Sequence, residues 1–299
     1  MKSLKLAEKR KSVREYKNKK LTGEDRKYLE QLVMEKPPVA ADASLEFIFI
    51  EDGGKAAIDL GGELAGYYGK MIEAPHYYAV LSDSENKCYK IAGYVGEWLI
   101  LNAIKKNIGT CWIEVLNSEK VKEVMNIQSE KEVVALIALG YPKKEYNLSN
   151  IYASITKGSI SALTDLGYPN IDSGYLKKTV SSRKSITEFV FIDRWGNIPD
   201  IEELEMRGIH DALFYMRLAP SYKNRQPWYF IVKGNEIDLF IEQSDEISEA
   251  MKCLDAGIAM FYFEVGLHDI GIRGKWNLSE FDTSADIPND YKIAGRYQY

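Results

Sequence analysis

The tetrapeptide RKSV at residues 10–13 returns as RKSI at 183–186, and each copy opens the same succession of elements. Behind the first copy, Thr22 with Asp25 resembles a capping box, and Tyr28, Leu29, Leu32 and Val33 fall at helical spacing, which predicts a helix from Glu24 to about Glu35. Pro37 and Pro38 end it. EFIFIE (46–51) and YYAVLS (77–82) predict short strands. A long helix is predicted from about Lys87 to Lys106, with Cys88, Ile91, Ala92, Val95, Leu99 and Ala103 in its apolar stripe and Asn107 and Gly109 as its stop. A shorter helix (118–126) and the continuous apolar run VVALIALG (133–140) follow, the latter a buried strand.

Behind the second copy a helix is predicted from Pro199–Asp200 to about Arg217, then strands WYFIVK (228–233) and IDLFIE (237–242). A second long apolar helix runs from about Met251 to Asp269. Gly271–Trp276 then stands where the first half has Gly109–Trp112, and IAGRY (293–297) echoes IALGY (137–141). The shared order predicts a tandem α+β architecture: two helix-plus-antiparallel-sheet halves, an intrachain pseudo-dimer around the two long helices. The stretch 143–182, rich in Ser, Thr, Asn, Lys and Gly, is the natural connection, so the expected division is 1–165 and 166–299.

Composition narrows the function. The 299 residues carry 39 Lys and Arg against 44 Asp and Glu, a net charge of −5, which argues against a dedicated nucleic-acid binder. Cys88, Cys111 and Cys253 are odd in number and far apart, and His76, His210 and His268 are scattered, so neither a disulfide framework nor a metal site is expected. The N-terminal MKSLKLAEKRKSVR has no apolar core and is not read as a signal peptide. IAMFYFEVGL, the most apolar stretch, is interrupted by Glu264 and falls short of a membrane span. The expectation is a cytoplasmic, soluble protein without membrane or nucleic-acid partners.

Two clusters suit ligand chemistry. Arg10, Lys11, Ser12 and Arg14 form a compact donor set for a phosphate, although a run of cations also describes a solvated face. In APSYKNRQPWYFIV (219–232), Pro220 fixes a loop on which Ser221, Asn224 and Gln226 offer short polar side chains. Amides present both donors and acceptors, as a heterocycle with alternating C=O and N–H groups requires.

RKSVREY and APSYKNRQPWYFIV together resemble the phosphate motif and the Pro-Ser-x-x-Asn-x-Gln-Pro-Trp flavin loop of the FMN-dependent nitroreductase family. NIGTCWIEV resembles the family's Gly-x-Gly-Thr-Cys-Trp segment, and IALGYP its closing strand. The resemblance implies an FMN held by Arg10, Lys11, Ser12 and Arg14 at the phosphate, the backbone of Glu114 and Val115 at flavin N5 and O4, and Pro220, Ser221, Asn224 and Gln226 from the other half. Lys143, Lys144 or Lys157 completes the phosphate site. Tyr222 and Trp112 are candidates for lining the substrate slot.

Family members are usually homodimers with flavin between subunits, whereas this chain carries both motif sets itself and so resembles a fused, "TM nitroreductase" subgroup. The reciprocal site has PPVAADASLEF (37–47) in place of the flavin loop and Thr187 in place of Arg14's counterpart, which implies one FMN per chain. The resemblance further implies hydride transfer from NADH or NADPH by a ping-pong route to a nitroaromatic, a quinone or another flat electrophile. No catalytic side chain is required beyond the flavin, and a monomer suffices. A flavin carrier or redox sensor on the same fold is the alternative, and a basic-arm nucleic-acid protein a weaker third.

Overall fold

The computed structural model describes residues 3–41, 43–66, 69–143, 183–279, 281 and 286–299. The first half runs α1 (Ser3–Lys9), α2 (Gly23–Met34), β1 (Leu45–Ile50), α3 (Gly53–Leu64), β2 (Ala65–Gly66), β3 (His76–Ser82), α4 (Asn86–Ala103), β4 (Gly109–Val115), α5 (Ser118–Met125) and β5 (Glu132–Gly140). The second runs β6 (Val190–Ile192), α6 (Ile201–Met206), α7 (His210–Met216), β7 (Trp228–Lys233), β8 (Glu236–Glu242), α8 (Glu249–Asp269), β9 (Lys275–Asn277) and β10 (Tyr291–Gln298).

Local chemistry sets these boundaries. Thr22 caps α2 by accepting from the Asp25 amide at 3.2 Å. Asn107, at φ 56°, turns the chain out of the helical segment that follows α4. The helix expected from Asp200 to Arg217 is instead two, α6 and α7. Gly208 at φ 69° sits between them, with its amide on the Glu205 carbonyl and the Ile209 amide on the Leu204 carbonyl. That pair of bonds is a Schellman motif, which closes α6 after Met206.

The two sheets repeat one plan. The first has strand order β1-β3-β5-β4-β2 and the second β6-β7-β8-β10-β9. Without β2 and β6, the orders β1-β3-β5-β4 and β7-β8-β10-β9 correspond strand for strand in chain order, every neighbouring pair antiparallel. The additions differ: β2 extends the β4 edge, and β6 pairs parallel to β7.

Between the sheets α4 and α8 pack on one another, each buried around most of its circumference. Their crossing is reciprocal. A β-carbon on Gly93 would come within 2.2 Å of the Leu254 carbonyl oxygen, and one on Gly257 within 1.8 Å of the Lys90 carbonyl oxygen. Each glycine thus lies on the backbone three residues before the other, as a two-fold relation between the halves requires. The halves form an intrachain pseudo-dimer.

No helix among the described residues is long and apolar enough to cross a membrane. The expected 165/166 boundary, with Lys144 and Lys157, lies outside the described residues.

Candidate functional site

The first basic motif lies along β4. Ser12 bridges Thr110 in parallel, and the Val13 amide donates to the Thr110 carbonyl at 2.8 Å. From there Arg10 turns inward, its side chain 5% exposed. Its Nε donates to Glu97 Oε1 at 3.0 Å and its Nη1 to Ser12 Oγ at 2.9 Å. The Glu97 carboxylate, fully buried on α4, also accepts from Trp112 Nε1 at 2.7 Å and from the Tyr262 hydroxyl of α8 at 3.3 Å. Burial, the largest influence, works against the guanidinium's charge, but Glu97 together with Tyr262 and Cys111 outweighs it, and Arg10 titrates above its ordinary range. Arg10 Nη2 is buried with no hydrogen-bond partner. Lys11 and Arg14 are exposed beside it.

The polar loop is held in an unusual conformation. Lys223 (φ 48°), Asn224 (φ 57°) and Gln226 (φ 53°) occupy the left-handed region, which non-glycine residues enter only when their surroundings fix them. The fixing groups are identifiable. Ser221 accepts from the Asn224 amide at its carbonyl (3.0 Å) and from the Gln226 amide at Oγ (2.8 Å). The Tyr222 amide donates to both carboxylate oxygens of Asp255, each at 3.1 Å. Asp255 lies on α8 beneath the loop, and burial pushes its carboxyl up to about 8.

The second basic motif braces this loop. Arg183 Nη1 donates to the Ala219 carbonyl at 2.8 Å and to Asn224 Oδ1 at 3.0 Å, while the Lys184 amide donates to Gln226 Oε1 at 2.9 Å. Lys184 Nζ reaches the Tyr229 hydroxyl at 3.2 Å. Ser185 and Glu188 form a capping box, with Glu188 Oε2 accepting from the Ser185 amide at 2.6 Å. All three residues are engaged within their own half.

Contacts across the pseudo-interface join the two clusters. Tyr222 of the loop lies beside Glu114 of β4, and the Tyr262 hydroxyl of α8 donates to Glu97 of α4. Arg183 titrates below its usual range, through burial first and then through nearby Arg10 and Arg217. Glu114 and Val115 pair with Gly66 and Ala65 of β2, a strand with no signal in the sequence. The Lys143 amide donates to the Glu15 carbonyl at 3.1 Å, which sets Lys143 beside the first basic motif.

The residues that sequence reading missed are the supports: Glu97, Tyr262, Asp255, and Arg183 as a brace. A signal was available for two of them, because Glu97 and Asp255 are acids flanked by apolar and small residues within the two long helices.

Among solved structures, the fold is similar to that of a "putative nitroreductase" from Thermotoga maritima. The match covers 100% of this chain and 94% of that one, at 17% identity and a TM-score of 0.57. An FMN-dependent nitroreductase from Clostridium difficile R20291 aligns over 48% of this chain and 92% of its own, at 23% identity and a TM-score of 0.41. A "putative NADH oxidase" from Clostridium acetobutylicum aligns over 47% and 89%, at 24% and 0.40. No curated protein matches the chain. Residues 3–267 match the sequence family described as "Putative TM nitroreductase", and the chain belongs to that family.

Proposed function

We propose that this chain is an FMN-dependent oxidoreductase with one flavin site, shared between its halves. The observation that carries the reading is Arg10. An unsatisfied donor on a buried guanidinium is costly and rare, and an anionic oxygen is the acceptor that fits it. Ser12 is the hydroxyl partner at that position, with Lys11, Arg14 and Lys143 as the outer cations. Pro220, Ser221 and Asn224 on the strained loop, with Gln226 fixing its shape, offer the planar-ring contacts, and Glu114 and Val115 at the end of β4 are the first-half residues proposed to complete them, Glu114 lying beside Tyr222 of the loop. The residues present therefore fit a phosphorylated flavin.

When bound, the flavin supplies hydride acceptance and donation, and the protein supplies position and electrostatic field. No side chain is needed as a general base. Glu114 and Tyr222 close the edge where the halves meet, and the same slot serves NADH or NADPH first and a nitroaromatic or quinone acceptor second, the order of a ping-pong enzyme. The second motif supports a single site, because Lys184 and Ser185 are engaged within their own half. A monomer is sufficient, since both halves of the site are on one chain.

The test is the visible spectrum of the purified chain, with the released chromophore quantified. FMN at one per chain supports the reading, two per chain removes the single-site claim, and a colourless protein that refuses added FMN removes the reading altogether. Reduction by NADH or NADPH in air-free buffer then separates an enzyme from a carrier, which would stay oxidised.

A further inference from the structure

The reciprocal glycine crossing fixes the register between the halves, so residues four beyond Gly93 and Gly257, Glu97 and Phe261, occupy equivalent places. Arg10 and Arg183 are equivalent in the two basic motifs. The half with an acid at this helix position is the half whose arginine keeps an unpartnered Nη2, whereas Arg183, with Phe261 at that helix position, spends its donors on the Ala219 and Leu218 carbonyls and on Asn224.

A carboxylate with no exposure is expensive, and an apolar residue would serve packing at least as well, as Phe261 does on α8. Glu97 is retained with three donors converging on it from three elements: Arg10, Trp112 of β4 and Tyr262 of α8. With Nε held by Glu97 and Nη1 by Ser12, the planar guanidinium has no rotational freedom left, and Nη2 points one way.

We infer that Glu97 is a positioning residue: it locks Arg10 so that Nη2 meets the ligand's phosphate, and thereby makes the site selective for a phosphorylated flavin over the dephosphorylated one. The inference rests on the flavin reading above and adds the source of its selectivity.

The experiment is titration of the apo chain with FMN and with riboflavin, followed by quenching of flavin fluorescence, in wild type and Glu97→Gln. Glutamine keeps the length but removes the charge, and its NH2 group must oppose either Trp112 Nε1 or the Arg10 Nε that shares the other oxygen with Tyr262, so the hold on Arg10 weakens. The expected result is an FMN Kd raised about tenfold or more, the loss of one charge-assisted bond, with riboflavin changed by less than about twofold. Where Glu97→Gln loses the wild-type circular dichroism, Tyr262→Phe replaces it, with a fall of about threefold expected in the same FMN-to-riboflavin preference. A wild type that prefers FMN, with a folded variant that keeps the full preference, overturns this inference and leaves the flavin reading standing. A wild type that takes up neither flavin overturns both.

Discussion

Arg183 donates to Asn224 Oδ1 at 3.0 Å, so a residue of the second basic motif sets the orientation of an amide in the polar loop. With its oxygen turned to the guanidinium, Asn224 directs its NH2 group elsewhere, and the Ala219 bond to the same Nη1 fixes where the loop begins. Arg183→Gln should therefore loosen the loop and weaken FMN binding by about tenfold, with little loss of secondary structure. Arg207→Gln, which removes an ion pair with Glu203 away from the loop, is the control. Equal FMN affinity in wild type and Arg183→Gln would sink this role.

The two motif serines should separate cleanly. Ser12→Ala removes the acceptor of Arg10 Nη1 and a phosphate-side hydroxyl, so FMN affinity should fall about tenfold. Ser185→Ala breaks the hydroxyl's bonds to Glu188 and Thr187, both within its own turn, costing about 1 kcal/mol of stability and leaving FMN binding unchanged. Comparable losses of affinity from both would mean that the second motif also holds a ligand.

The glycines of the α4–α8 crossing have no room to change. A β-carbon at Gly93 or Gly257 would meet backbone oxygen at 2.2 or 1.8 Å, and backbone cannot turn aside as a side chain can. Gly93→Ala and Gly257→Ala should each cost about 2–4 kcal/mol in urea unfolding, by forcing the helices apart. Gly54→Ala, whose nearest new neighbour would be Asp52 Oδ1 at 3.9 Å, should change stability by less than about 0.5 kcal/mol. A tolerant Gly93 would mean that the crossing is looser than described.

Asp255 gives stability a pH dependence of defined sign. Burial raises its carboxyl from the ordinary 3.8 to about 8, against the opposing pull of the Tyr222 amide and Arg225. Between those values the folded chain holds a proton that the unfolded chain releases. The contribution is therefore complete below about pH 4 and is lost as pH rises through about 8. Urea midpoints should favour Asp255→Asn over wild type progressively more from pH 5 to pH 8. A wild-type-minus-variant difference that stays constant over that range would show that Asp255 keeps its charge throughout.

The repeat was legible because strands and long helices carry their period in their own side chains: VVALIALG and the stripe from Cys88 to Ala103 show it directly. Helix α3 was not, since GGKAAIDLGGEL has four glycines in twelve residues and reads as a turn. It folds as a helix because Asp52 caps it at the Lys55 amide and because Gly53 alone fits against the Ala74 carbonyl, a contact set by residues far along the chain. Two-residue β2 has no period to show and exists only through its pairing with Glu114 and Val115. At the candidate site the sequence displayed the two polar clusters, RKSVR and PSYKNRQ. It could not display Glu97, Tyr262 and Arg183 as supports, because Tyr262 reaches Glu97 only when the halves meet, and Arg183 reaches Ala219 and Asn224 only once its own half has folded.

The bond from Tyr262 to Glu97 joins two halves of a single covalent chain. A site built between separate subunits comes apart on dilution, with an occupancy set by protein concentration as well as by ligand. Here each half meets the other at a fixed local concentration, so the site stays assembled however scarce the protein is. Freedom from identical copies has a second effect: a substitution on α8 alters one side of the site alone. In a homodimer the same change would fall on both sites at once.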